Sequence, residues 1–211
     1  RDRYIFPKNG YTFTVNFKSV GMEALLDNNK PPEISWSTNI FRNSRSIDYE
    51  NRYTELTFGY EDDRVDYLSL SGDDEESRED IRWISYRQHF FSAILIPDSS
   101  IKTINLKSKD LSGDQILEEK FTKYFESSYL LPKQGENINT KFKFYYGPTD
   151  YKTLQNLEGD LEASIPMGWG IFGWINKFIF LPLFGFLSSF LSYGIATVSY
   201  THLRAHETQP Y

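Results

Sequence analysis

The sequence predicts a mainly β fold, an antiparallel β-sandwich followed by C-terminal helices, one of them amphipathic. Three observations predict it. Aromatic residues make up 17% of the chain, with 15 Tyr and 17 Phe, and such side chains cover pleated surfaces well. Short alternating segments follow one another between turn signals up to about residue 150, which suits a sandwich rather than a βαβ fold. Beyond Asp150 the alternation stops, and a polar stretch leads into a long apolar one.

Residues 11–17 alternate apolar and polar strictly through Phe13, Val15 and Phe17, the mark of a half-buried strand. Residues 22–28 read as a short helix or turn, closed by Asn28-Asn29-Lys30-Pro31-Pro32. Residues 33–38 and 52–60 read as strands, the second bounded by Glu61-Asp62-Asp63. Residues 64–70 form another, and residues 71–76 a solvated acidic loop. Residues 82–96 carry Trp83, Tyr86, Phe90, Phe91, Ile94, Leu95 and Ile96. Their near-continuous apolar end predicts a central strand covered on both faces, with Trp83, Phe90 and Phe91 in the core. Residues 101–107, 119–125 and 141–146 complete the set before the Gly147-Pro148 turn. Residues 151–163 are helix-compatible, with Leu154, Leu157 and Leu161 at helical spacing.

Residues 169–198 are apolar with one charge, Lys177. That length suffices to span a bilayer, which takes roughly 20 apolar residues. Pro182 lies near its middle, however, and Gly173, Asn176-Lys177, Gly185, Ser188-Ser189 and Ser192 gather on one side of a helix, opposite Phe172, Ile175, Ile179, Phe186 and Phe190. The favoured reading is an interfacial helix with Trp169 and Trp174 at headgroup level. A single span, packing of its small-residue side on another membrane helix, and a buried soluble helix are the alternatives.

Composition excludes several classes. The net charge is −6, which argues against nucleic acid, whose phosphates need clustered cations. There is no Cys, so thiol nucleophiles, disulfides and Cys-based zinc sites are excluded. His89 precedes a core strand and reads as structural. His202 and His206 are four apart, a spacing that puts two rings on one helix face, but no third ligand accompanies them. The acidic residues read as solvated loop charge; no calcium loop, phosphate loop or nucleophile elbow occurs. No catalytic residue, metal or cofactor is assigned. Arg1-Asp2-Arg3-Tyr4 has no initiator Met and no signal segment behind it, so the chain is expected to be processed or a piece of a longer one.

Three motifs carry a resemblance. They are Gly168-Trp169-Gly170-Ile171-Phe172-Gly173-Trp174-Ile175-Asn176-Lys177, followed by Pro182-Leu183-Phe184-Gly185-Phe186-Leu187 and Tyr193-Gly194-Ile195; the segment 83–96 with its Phe90-Phe91 pair; and Tyr145-Tyr146-Gly147-Pro148-Thr149-Asp150. In order and spacing they resemble the YidC/Oxa insertase family of bacterial inner membranes, over roughly residues 4–198. The resemblance implies a truncated β-domain of the large periplasmic supersandwich type at residues 1–150, incomplete at its N-terminus. A connecting helix at 151–167, an interfacial helix at 168–193 and the start of a transmembrane helix at 194–198 follow. It implies an inner-membrane location with the β-domain in the periplasm. The implied partners are the lipid bilayer, nascent membrane proteins and Sec translocon components, and the implied role is insertion and folding of membrane proteins. Trp169, Trp174, Lys177, Pro182 and Phe184 are the candidate membrane-interface residues, in a helix that couples the β-domain to the membrane bundle.

The family's groove, with its Arg inside five membrane helices, has no counterpart in this sequence, so the chain alone is expected to lack insertase activity. Residues 199–211 match nothing before them and read as a non-native tail. An incomplete sandwich is expected to leave open strand edges. A carbohydrate-binding sandwich and a membrane-tethered docking domain are the competing readings.

Overall fold

The computed structural model describes residues 2–5, 10–20, 32–131, 138–166 and 174–190. The expected helix at 22–28, Trp169, the transmembrane start at 194–198, the tail at 199–211, His202 and His206 lie outside the described residues. The chain divides into two compact units, Arg1–Ser164 and Ile165–Tyr211.

The first unit is one antiparallel sheet of ten strands. They are β1 (Asp2–Ile5), β2 (Thr12–Ser19), β3 (Glu33–Phe41), β4 (Glu55–Tyr60), β5 (Arg64–Tyr67), β6 (Asp74–Arg87), β7 (Phe91–Pro97), β8 (Ile101–Asp110), β9 (Phe121–Leu130) and β10 (Ile138–Pro148). Strand order is β1-β2-β10-β7-β6-β8-β9-β3, with β4 branching from β6 and β5 pairing β4. The sheet curls around one core of Ile40, Leu56, Phe58, Ile84, Tyr86, Leu95, Ile104, Leu106, Phe125 and Phe142. These residues come from six strands along the path and from β4 beside it, so the sheet folds over on itself as the layers of a sandwich. Mainly β, antiparallel and sandwich-like is therefore the observed class. Inside, the Trp36 indole of β3 stacks on Tyr86 of β6 at 3.9 Å and meets Phe144 of β10 edge-on at 5.7 Å. Trp36 thereby bridges strands that are not neighbours in the sheet.

Strand β6 organises this arrangement. Its first half, Asp74 to Ile81, pairs β8. Its second half pairs β4 on one edge and β7 on the other. The change falls at a bulge: Gly59 faces Trp83 while Tyr60 faces Ile81, leaving Arg82 without an opposite residue. Asp80 just before it adopts a φ of 52°, a left-handed conformation that bends a strand where an extra residue must be absorbed. Past the bulge both faces are buried: Ile84 and Tyr86 enter the core, while Trp83, Ser85 and Arg87 are covered on the opposite face. Arg87 is stapled there to the buried carboxylate of Glu55 at 2.6 Å. Cover on that face includes the 3-10 turn Leu161–Ser164, which touches β4 and β6.

Four expectations need correction. The acidic loop at 71–76 ends at Asp73, because Asp74 already opens β6; Glu75 finds Lys107 across on β8 at 2.6 Å and Glu76 finds Arg78 on its own strand at 2.7 Å, so nearby cations offset the acidic charge of this extended segment. The strand at 82–96 is two strands joined at Gln88-His89-Phe90. Phe90 and Phe91 are not core: they are 65% and 62% exposed at that turn, whereas Trp83 is fully buried. The helix at 151–163 stops early, at α2 (Tyr151–Gln155). Gly159 and Asp160 take φ values of 100° and 54°, which helical continuation forbids. Asp150 caps α2, accepting from the Thr153 backbone N–H at 2.8 Å.

An element that the sequence reading lacks is α1 (Ile47–Asn51). Ser46 caps it through the Tyr49 N–H at 3.2 Å, and the buried Glu50 carboxylate accepts the backbone N–H groups of Asn43 and Ser44.

Two outcomes follow. A Cβ on Gly59 would sit inside the Trp83 indole, so Gly59→Ala is expected to lower stability by about 1–3 kcal/mol, read as a reduced urea midpoint. Burial pushes the hydroxyls of Tyr86, Tyr129 and Tyr145 up, that of Tyr145 to about 12. The folded chain thus holds these protons after the unfolded chain, titrating near 10.0, has released them. Their contribution is complete below pH 10 and is lost as pH rises from 10 toward 12; urea midpoints across this range check it.

Candidate functional site

The second unit is described at residues 174–190, a continuous helical run. It opens at Trp174, passes through a π turn at Asn176–Phe180 and continues as α3 (Leu181–Phe190). The π turn has a local cause. Pro182 has no N–H, and its ring would collide with the carbonyl four residues back in a regular helix. The backbone answers by widening: the Leu181 N–H reaches the carbonyl of Asn176, five residues back, as in a π-bulge. The extra residue rotates the first turn by about 100° against α3. The lineup of Asn176-Lys177 with Gly185 and Ser188-Ser189 that even spacing implies is displaced accordingly.

Exposed aromatic side chains dominate this run. Trp174 is 56% exposed and Phe186 63% exposed; Phe178 and Ile179 are also exposed. Trp174 and Phe178 are four apart, and their ring centroids lie 5.7 Å apart. The Lys177 ammonium, itself exposed, lies 6.0 Å from the Phe178 ring, within cation–π range. Pro182 is exposed, Phe184 is half-buried and Phe180 is buried. Residues 178–190 contain no charge, and Ser189 turns its hydroxyl back onto the Phe186 carbonyl at 2.6 Å. A surface this apolar, carrying one cation and a half-exposed indole, has the chemistry of a helix that meets a lipid interface. At about 1.5 Å per residue the run reaches about 25 Å, less than the roughly 30 Å of hydrocarbon. No described helix is long and apolar enough to cross a membrane.

Of the five candidate residues, four are described and lie on this run; Trp169 is outside the described residues. Phe178 and Phe186 were absent from that set, though the spacing of four from Trp174 to Phe178 was a usable signal. His89 stacks between Tyr53 at 4.2 Å and Phe90 at 4.1 Å, a structural setting. Among the described residues no group of three or more His, Asp or Glu could hold a metal ion.

Comparison with known proteins follows this geometry closely. The family model described as the YidC periplasmic domain matches residues 1–182. A protein of Bacteroides fragilis named membrane protein insertase YidC is 32% identical over 208 residues, which is 94% of this chain and 33% of that protein. Proteins of the same name from Parabacteroides distasonis and Amoebophilus asiaticus are 29% and 27% identical, over 91% of this chain in each case and 31% and 32% of their own lengths. The chain thus spans about a third of the length of the curated relatives it matches.

The exposures predict a quenching pattern. In single-tryptophan variants, acrylamide should quench Trp174 strongly and the fully buried Trp83 several-fold less. Equal quenching of the two would contradict the exposed indole.

Proposed function

This chain belongs to the YidC periplasmic-domain family, and we propose from that membership that it is the β-domain and adjoining interfacial helix of a bacterial inner-membrane protein insertase. In the whole protein the β-domain, residues 1–150, faces the periplasm. The connecting segment 151–167 leads to a helix at 168–193 lying in the membrane interface, and a transmembrane helix begins at 194–198. The whole protein inserts and folds nascent membrane proteins, alone or beside the Sec translocon. This part contributes no chemistry of its own; it holds and orients.

The observation that carries the reading is a match over residues 1–182 that runs from the β-domain into a helix with exposed Trp174 and Phe186. Trp174, Lys177, Pro182 and Phe184, with Trp169, are the proposed contacts. Amphipathic indole suits the headgroup layer, and one Lys draws the helix to anionic lipid by about 1 kcal/mol. Pro182 sets the widened turn, which rotates Phe186 by about 100° toward the side of Trp174.

Vesicle association tests this. The full chain should bind phosphatidylethanolamine/phosphatidylglycerol vesicles, and Trp174→Ala should weaken binding by about tenfold, as loss of a partly buried ring of this size implies. Lys177→Gln should weaken binding only on the anionic vesicles. Absence of vesicle binding by the unaltered chain would sink the interfacial reading.

A further inference from the structure

The Phe90-Phe91 turn is an aromatic surface that neither the core nor the helix accounts for. Phe90 and Phe91 are 65% and 62% exposed, and Tyr49 of α1 is exposed beside them. The rings form one pile. His89 lies flat between Phe90 and Tyr53, with interplanar angles of 14° and 7°, and Tyr49 closes on Tyr53 at 5.2 Å and on His89 at 5.7 Å. The pile rests on a rigid turn. The Gln88 N–H donates to the Phe91 carbonyl, and the Thr149 N–H donates to the Phe90 carbonyl, both at 2.8 Å. The Thr149 hydroxyl donates to the Gln88 carbonyl at 3.3 Å and meets the Ser92 hydroxyl at 2.8 Å. Asn43 holds the Gln88 side chain at 3.1 Å.

Three features select the occupant. The Gln88 N–H and the carbonyls of Gln88, Phe90 and Phe91 all have partners, which lowers the cost of bringing this turn against lipid. The side chains are Tyr, His and Phe, rings with polar edges beside bare ones, the composition of an interfacial belt rather than of a packed core. Arg45 and Arg52, both exposed, flank α1 against one exposed acid, Asp48; this balance favours an anionic surface. The turn is also tied to Thr149, the residue from which the chain enters α2 and then the apolar helix.

We infer that the ring pile of Tyr49, Tyr53, His89 and Phe90, with the exposed Phe91 next to it in the chain, is a second lipid-contacting surface, on the β-domain itself, which seats among anionic headgroups. This rests on the interfacial reading of the helix and adds a second point of contact.

The absence of Cys makes the test direct. Single cysteines are introduced into the full chain as Phe90→Cys, Trp174→Cys and, for control, Tyr67→Cys on β5. Each carries an environment-sensitive fluorophore and is mixed with phosphatidylethanolamine/phosphatidylglycerol vesicles bearing brominated acyl chains. Quenching at positions 90 and 174 but not at 67 is expected. In the otherwise unaltered chain, the Phe90→Ser/Phe91→Ser pair should weaken vesicle binding about tenfold while circular dichroism stays unchanged. Quenching at 174 alone overturns the second contact and leaves the helix reading standing; quenching at neither overturns both. A blue shift at position 90 that grows with protein concentration without vesicles would assign the patch to a second copy of the chain and overturn the inference.

Discussion

The bend in β6 is the constraint on which the rest of the molecule depends. One strand pairs β8 along its first half and both β4 and β7 along its second. It can do so only because the extra residue at Arg82 and the left-handed Asp80 redirect it midway. Past that point it is buried on both faces, so each side chain has a fixed duty. Trp83 requires the missing side chain of Gly59, Tyr86 donates to the Trp36 carbonyl at 2.8 Å across the core, and Arg87 holds Glu55. A buried ion pair of this kind adds little net stability but is costly to break on one side. Its value here is registration, because it admits one alignment of β4 on β6.

Much of this was legible locally. Strict alternation at 11–17 read correctly because one face of β2 covers the core. Of the strand read at 82–96, the stretch Trp83 to Arg87 is covered on both faces, although the apolar end at Phe90 and Phe91 that suggested it is not. In some of the failures the deciding partner is remote in sequence. Asp74 to Glu76, read as part of a loop, is strand because it pairs β8, where Lys107 meets Glu75. The turn at Gln88-His89-Phe90 carries no Gly, Pro or Asn to mark it, and hydrogen bonds from the distant Thr149 hold it. Phe90 and Phe91 were accordingly counted as strand interior. Helix α1 is too short for periodicity to show, and what identifies it is the cap at Ser46 and the lock at Glu50.

The helix of the second unit was legible differently. Its apolar length and its Trp and Pro residues were plain, and the resemblance of its motif pointed to the family that the match over residues 1–182 establishes. Angular position was not. Even spacing assumes an unbroken period of 3.6 residues, and the π turn ahead of Pro182 breaks it. With one residue absorbed in that turn, Phe186 comes about 100° closer to the side of Trp174 than even spacing places it.

That same π turn has a consequence for solvation. Pro182 gives no hydrogen bond, so one carbonyl in the turn before it must be satisfied from outside the helical ladder. Water or a headgroup can do this freely, whereas hydrocarbon would leave it unmet at several kcal/mol. A helix lying along a bilayer surface is in principle free to roll about its own axis. If the helix lies on a bilayer as proposed, that carbonyl keeps its side in the wet layer and so sets which rings face the lipid.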